Sequence, residues 1–223
     1  MAQIIMMVIT LRKPTFKEIA LGIMGHAQLE SKCKRVKRFF KQVSLPEASY
    51  ARFTVKILGL KKFKLVIDRT TWFPGENVIN FLVLGVYWEG HVIPLFMRLL
   101  NKKGNSSFEE RKELIEKLIE VFGVTDIEGY SGDREFPSKD DFKYLVDKKI
   151  PFTIRLKKNT KINGKQAKNL LHGMAHGEVR IMEGKQRVLD QELHISVTVS
   201  KSGDLVIIAT LEQMNGLEDY RFR

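Results

Sequence analysis

A run of nearly unbroken apolar residues sets the strongest limit on how this chain can fold. Within residues 77–88, positions 81–86 hold only apolar side chains and one glycine. Such a run is typical of a strand whose two faces are both buried. A Glu-Gly pair follows it, and residues 91–100 predict an antiparallel partner strand, in which Pro94 indicates an interruption or a sheet edge. The chain is therefore expected to contain a packed sheet.

Strand and helix patterns alternate around this hairpin. Residues 63–67 predict a short strand that ends at Asp68, and residues 126–130 predict another that leads to Asp133. The other predicted elements of this region are helices over residues 106–122 and 138–148 and a strand over residues 152–156. Residues 177–210 alternate in the manner of β-hairpins. The order of these elements predicts an α/β fold with a β-rich part near its end.

The basic charge of the chain is concentrated near its start. The formal net charge is +12, and residues 1–64 hold 14 basic and 3 acidic side chains against 24 and 23 in the remainder. Residues 15–43 predict two helices with a break near Gly25, and the second is a basic amphipathic helix. This asymmetry predicts a polyanion-binding segment. A solvated basic surface without a partner and a membrane-surface helix are the alternatives.

Other classes of protein are excluded by composition. A single cysteine, Cys33, excludes a disulfide scaffold and a cysteine-rich zinc module. No apolar run reaches the roughly 18–20 residues of a membrane span, and the start lacks the pattern of a signal peptide. The sequence therefore predicts a cytoplasmic protein with no membrane partner.

Two acidic residues are the strongest candidates for chemistry. Asp68 and Asp133 each follow a predicted strand, and acids at the ends of neighbouring strands can converge on one divalent cation. Carboxylate oxygens are the hard ligands that Mg²⁺ prefers. The alternative is that each aspartate only caps a strand or forms a turn.

Three ordered motifs resemble those of the bacterial insertion-sequence-four group of DDE transposases. Residues 66–72 (VIDRTTW) resemble its first catalytic block, and residues 132–136 with 152–159 resemble its second. Tyr220 and Arg223 have the spacing that opens its third block. The resemblance covers roughly residues 15–223 and implies a ribonuclease-H-like mixed sheet with flanking helices. It implies four parts: a helical, basic DNA-binding segment and linker over residues 1–62, a catalytic core over 63–159, a β-rich insertion over 160–210, and the start of a final helix over 211–223.

The resemblance also implies roles for residues. It implies that Asp68 and Asp133 are the first two members of a catalytic triad that binds Mg²⁺ or Mn²⁺ for phosphoryl transfer in DNA. The partner that the resemblance implies is double-stranded DNA, as element ends and as target. It also implies a homodimer assembled on this DNA in the bacterial nucleoid. The implied DNA-binding side chains are Lys34, Arg35, Lys37, Arg38, Lys41, Arg134, Arg155, Lys157, Lys158, Tyr220 and Arg223.

One departure from the family pattern bears on activity. The glutamate of the third block would fall four positions beyond Arg223, where the given sequence has ended. The expectation is therefore an incomplete transposase with little or no activity. The alternative is a non-catalytic DNA-binding protein or transposition inhibitor derived from a transposase. A metal-dependent nuclease of the same fold is a third reading.

Overall fold

The chain divides into two compact units. A computed structural model describes residues 2–11, 14–73, 75–76, 78–170 and 173–212. The two units are Met1–Pro46 and Glu47–Arg223, and each has its own hydrophobic cluster. Each is therefore described by itself.

The first unit is helical. Its helices within the described ranges are α1 (Ala2–Thr10), α2 (Phe16–Leu21) and α3 (Leu29–Gln42). Thr15 caps α2 in a reciprocal capping box with Glu18, as the sequence predicts. The buried side chains of this unit come from all three helices and the turn after α2: Ile4, Ile19, Ala20, Ile23 and Val36. The predicted break near Gly25 is confirmed, since φ of Gly25 is +108° and the chain turns there between α2 and α3.

The second unit combines one large sheet with helices. Its helices are α4 (Glu47–Leu58), α5 (Phe108–Phe122), α6 (Lys139–Asp147) and the short α7 (Ala167–Leu170). Its strands are β1 (Phe63–Trp72), β2 (Ile79–Trp88), β3 (His91–Leu100), β4 (Ile127–Gly132), β5 (Phe152–Leu156), β6 (Lys161–Ile162), β7 (Lys165–Gln166), β8 (Val179–Ile181), β9 (Gln186–Val188), β10 (Gln191–Val199) and β11 (Leu205–Thr210). Among the helices of the described ranges, none combines the length and hydropathy needed to cross a bilayer.

The strands are joined in the order β3-β2-β1-β4-β5-β11-β10-β9-β6-β7, with β8 paired to β10. β1, β4 and β5 run parallel, and the pairs β1–β2, β2–β3, β5–β11 and β10–β11 are antiparallel. The sheet is therefore mixed, and the α/β prediction is confirmed at this level. In the described chain β3 lies at one end of the order, as Pro94 predicts, and the β2–β3 register shifts at Gly85 opposite Pro94.

One face of the sheet packs against helices. α4 and α5 contact β3, α5 also contacts β2, and α6 contacts α5. The side chains that face this layer alternate along each strand, as Phe63, Leu65 and Ile67 do on β1. We call this side the helix face and the opposite side the second face.

Helix α4 differs from the sequence prediction. Residues 44–62 are predicted as a linker with a short helical stretch, because Pro46 and Gly59 interrupt the pattern. The structure instead has a 12-residue helix there, and its Ala51 and Val55 are buried in the main cluster. Two apolar residues four positions apart are enough to dock a helix on β3, although they form too short a pattern to predict one.

Strand β1 also differs from its prediction. The sequence predicts a strand that ends at Asp68, whereas β1 continues to Trp72. The reason is that β1 has two partners of different length. Its parallel pairing with β4 ends at Ile67, but its antiparallel pairing with β2 continues from Leu65 through Trp72. Asp68 therefore lies within a strand, at the first position beyond the β4 pairing.

Candidate functional site

The two candidate acids lie side by side at one end of the parallel strands. Ile67 of β1 is the register partner of Gly132 of β4. Asp68 and Asp133 are the next residues along each strand, and neighbouring strands lie about 4.8 Å apart. Asp68 is exposed and Asp133 is half-buried. The fold therefore places two acids that are 65 positions apart in sequence at the same level of neighbouring strands.

Arg155 extends this row by one strand. Gly132 is the register partner of Ile154 on β5, so Arg155 follows that pair as Asp133 does. Within the described part of the chain, the Nε atom of Arg155 is buried without a hydrogen-bond partner. A buried donor of this kind calls for a ligand or solvent oxygen. The row Asp68, Asp133 and Arg155 thus carries two carboxylates and one guanidinium at the same sheet level.

The row belongs to the second face of the sheet. Ile67 and Ile154 are in the core beneath the helices, and alternation puts the residues that follow them on the other side. Two residues before this row, Val66, Ser131 and Thr153 occupy the same face and are buried. Ser131 Oγ is a second buried polar atom that has no hydrogen-bond partner among the described residues.

An ion pair joins the two segments that carry the candidate acids. Arg69 donates from Nε to Glu135 Oε1 at 3.0 Å and from Nη2 to Glu135 Oε2 at 2.9 Å. Both side chains are about one-quarter exposed. The hydrogen bonding of Arg69 to the Glu135 carboxylate is the main reason that the pKa of Arg69 is raised above its usual value. This bidentate pair joins the residue after Asp68 to the turn after Asp133, a contact that sequence analysis did not predict.

The turn after β4 is shaped around Gly132. Arg134 N donates to Asp133 Oδ1 at 2.8 Å, and Phe136 N donates to Asp133 O at 3.0 Å. A Cβ atom on Gly132 would lie 3.2 Å from Ile67 Cγ2 and 3.5 Å from Phe136 Cδ2. The absence of a side chain therefore lets β1 and the Asp133 turn approach each other closely.

Replacing Gly132 with valine is expected to destabilise the chain by about 1–3 kcal/mol, because the added methyl groups overpack the contact with Ile67. The matched control is Gly129→Val on the same strand, where a Cβ would meet nothing within 4 Å. Denaturant unfolding measures the free energy of unfolding of both variants. Equal losses of stability in the two variants would contradict the role assigned to Gly132.

A basic cleft adjoins the carboxylate row. It has a volume of about 840 Å³ and lies among the Asp133 turn, the residues after β5 and the β6–β7 and β9 strands. The charged side chains on its wall are Arg134, Lys139, Lys157, Lys161, Arg187 and Asp190. Lys139 and Arg187 were not among the predicted residues, whereas Lys161 belongs to the run of basic residues over 155–168 that the sequence predicts to contact phosphates.

Two aspartates partly balance the cations around this cleft. Lys139 Nζ lies 2.7 Å from Asp190 Oδ2, and this hydrogen bond is the main cause that lowers the pKa of Asp190 below its usual value. Outside the cleft wall, Lys158 Nζ donates to Asp204 Oδ1 at 3.0 Å and lowers the pKa of Asp204. Five cations against one carboxylate still leave the cleft wall strongly positive.

The predicted DNA-binding helix lies in the first unit. Lys34, Arg35, Lys37, Arg38 and Lys41 all lie on α3 and are exposed, and Lys34 pairs with Glu30 at 2.9 Å. Val36 is the fully buried residue of α3. The helix therefore presents these five basic residues to solvent, as its amphipathic pattern predicts.

Part of the predicted site falls outside the described residues. Tyr220 and Arg223 lie there, as does most of the segment over residues 211–223. Among the residues that the structure describes, no group of three or more His, Cys, Asp and Glu side chains is arranged to hold a metal ion.

Comparison with known proteins gives a result at the level of the fold. No protein-family profile matches the chain, and no curated protein matches it. Among solved structures, it is similar to a piggyBac transposase, determined by cryo-EM as a synaptic complex with hairpin DNA, at 11% identity and a TM-score of 0.50. The match covers 72% of this chain and 37% of that one. The chain therefore has a mixed α/β fold of the kind found in a transposase.

Proposed function

We propose that this chain carries the catalytic core of a DNA transposase of the DDE type, from a bacterial insertion sequence. The observation that carries the proposal is the register row of Asp68, Asp133 and Arg155 at one end of three parallel strands. Two carboxylates beside an arginine suit a reaction at phosphorus, which needs metal ligands and a cation for the phosphate. The fold-level similarity to a transposase supports the same reading.

The residues present fit a divalent cation. Asp68 and Asp133 supply hard oxygen donors from adjoining strands, and Mg²⁺ commonly takes only one or two carboxylates from a protein. We infer that these two side chains hold Mg²⁺ or Mn²⁺. When bound, the metal supplies activation of the attacking oxygen and stabilisation of the leaving oxygen.

The remaining residues orient the DNA. Arg155 donates to a phosphate oxygen, which would give the buried Nε the acceptor that it lacks among the described residues. The Arg69–Glu135 pair holds the two acid-bearing segments at a fixed separation. Proton transfers would involve water and the DNA itself, since the row contains carboxylates and an arginine but no histidine.

Double-stranded DNA is the proposed partner, both as element ends and as target. The cations of the cleft and of α3 would contact phosphates, which position a duplex without reading its sequence. The similar transposase was solved with hairpin DNA, which supports a nucleic-acid partner here. Pairing of two element ends would require a dimer assembled on the DNA.

The experiment is nicking of supercoiled plasmid by the 223-residue chain in Mg²⁺ or Mn²⁺, with EDTA as the metal-free control. Duplex binding is measured in parallel by fluorescence anisotropy. We expect binding with and without metal, and only slow nicking that requires metal, because the row holds two acids where the family pattern has three. Binding without nicking in either metal would overturn the catalytic proposal and favour the DNA-binding or inhibitor function. Absence of binding would overturn both.

A further inference from the structure

A carboxylate bridges two cations on the wall of the basic cleft. Lys139 Nζ, at the start of α6, lies 2.7 Å from Asp190 Oδ2, and Arg187 Nη2 of β9 lies 3.6 Å from Asp190 Oδ1. Each oxygen of this carboxylate therefore faces a different cation. All three side chains are more than half exposed. The position between the two cations is thus accessible to a ligand from solvent.

The turn between β9 and β10 presents Asp190 to these cations. Val188 and Gln191 are register partners, so Leu189 and Asp190 form a two-residue turn, and their φ angles are +49° and +65°. Two consecutive positive φ angles are typical of the type I′ turn of a hairpin. Leu189 packs against the main cluster and anchors the turn. The backbone of the hairpin therefore sets the position of Asp190.

The remaining cations of the cleft wall are Arg134, Lys157 and Lys161. Within the described ranges, none of these three side chains forms an ion pair. An exposed pair such as Lys139 with Asp190 contributes little to the stability of a fold. Five cations around one exposed carboxylate instead suit a ligand with several closely spaced anionic oxygens, as in a nucleic-acid backbone.

We propose that Lys139 and Arg187 form a phosphate site for a DNA strand, and that the Asp190 carboxylate occupies this site when DNA is absent. The inference rests on the proposed function, and it adds a competitor within the chain that limits DNA affinity. Carboxylates and phosphates present anionic oxygens to the same donors. A strand that enters the cleft must therefore displace Asp190 from both cations. The charge that matters is local, because at ~0.15 M salt exposed charges more than about 8 Å apart are largely screened.

Asp190→Asn is expected to tighten duplex binding about 3- to 10-fold at ~0.15 M salt, because the amide keeps the size of the side chain and releases both cations. Asparagine adopts positive φ angles more readily than most residues, so the turn is retained. The probe is a fluorescein-labelled DNA duplex, and its binding is followed by fluorescence anisotropy in EDTA. Unchanged or weaker binding would overturn the inference.

The matched control is Asp147→Asn, which makes the same chemical change in another exposed ion pair. Lys143 Nζ lies 2.7 Å from Asp147 Oδ2 on α6, and Asp147 is not part of the cleft wall. Both substitutions change the net charge equally, but the control should alter duplex affinity less than about 1.5-fold. Equal tightening by the two variants would show that net charge alone matters, and would contradict the proposal.

A double-mutant cycle tests the competition directly. In the parent chain, Lys139→Gln should weaken duplex binding less than about twofold, because Asp190 already occupies the lysine. In the Asp190→Asn background, the same substitution should weaken binding about threefold or more, because the lysine is then available to a phosphate. Equal effects of Lys139→Gln in the two backgrounds would rule out competition between Asp190 and DNA.

These outcomes separate the inference from the proposed function. Metal-dependent nicking with no effect of Asp190→Asn on duplex affinity would overturn the competitor alone. Tighter binding by Asp190→Asn without nicking in either metal would overturn the catalytic proposal alone. Absence of duplex binding by both the parent chain and Asp190→Asn would overturn both.

Discussion

Asp68→Asn is expected to lower metal-dependent plasmid nicking about 10²–10³-fold without a measurable loss of stability. The substitution keeps the size of the side chain and removes a charged metal ligand, whose contribution of several kcal/mol to the transition state converts to this factor. Asp68 is exposed, and β1 remains paired with β2 on both sides of it. The melting temperature should therefore stay within about 1 °C.

The matched control is Asp140→Asn, which makes the same chemical change at an exposed position on α6. Its nicking rate should equal that of the parent chain. Asp133→Asn should match Asp68→Asn, and the double variant should be little worse than either, since residues acting on one metal site are not additive. Parent-level nicking by Asp68→Asn would remove this residue from the proposed site.

Local sequence signals predicted much of the fold. The capping box of Thr15 with Glu18 is confirmed. At the start of α5 the sequence predicts a box of either Ser106 with Glu109 or Ser107 with Glu110, and the structure has the second. The apolar run of β2 is confirmed as a strand between two neighbours. These features need no information from distant parts of the chain.

Long-range pairing accounts for what the sequence could not predict. Residues 69–71 are polar and resemble a loop, and only the partner strand β2 makes them part of β1. Likewise, the β-rich segment over residues 160–210 was predicted without its pairing to the rest of the chain, and the structure pairs its β11 with β5. Neither pairing has a signature within the segment itself.

In the candidate site, too, local signals identified residues but not the pairing between strands. Asp68 and Asp133 were identified because each follows an apolar strand, but the sequence could not give their register, which depends on the β1–β4 pairing. The Arg69–Glu135 pair joins residues 66 positions apart and has no local signal. The roles of the two acids in metal binding stay a prediction, and the nicking experiments test it.

A buried ion pair holds the start of α6, the helix that follows the Asp133 turn. Arg111 of α5 donates from Nε to Asp141 Oδ1 at 2.9 Å and from Nη2 to Oδ2 at 2.6 Å, and Arg111 and Asp141 are 4% and 8% exposed. Ser138 N, at the start of α6, donates to the same carboxylate at 2.9 Å. Asp141 therefore fixes the start of α6, only a few residues after Asp133, against α5.

Asp141→Ala is expected to destabilise the chain by about 3–5 kcal/mol, because it leaves the Arg111 guanidinium buried without its carboxylate. For a unit of this size, the melting temperature should fall by about 6–20 °C. The matched control is Asp140→Ala, which removes an exposed carboxylate from the preceding position and should cost less than about 1 kcal/mol. The double variant Arg111→Met/Asp141→Leu should lose less stability than Asp141→Ala alone, since it leaves no unpaired buried charge. Calorimetry measures the stability of all three variants. Equal losses of stability in Asp140→Ala and Asp141→Ala would show that the buried pair does not hold α6 against α5.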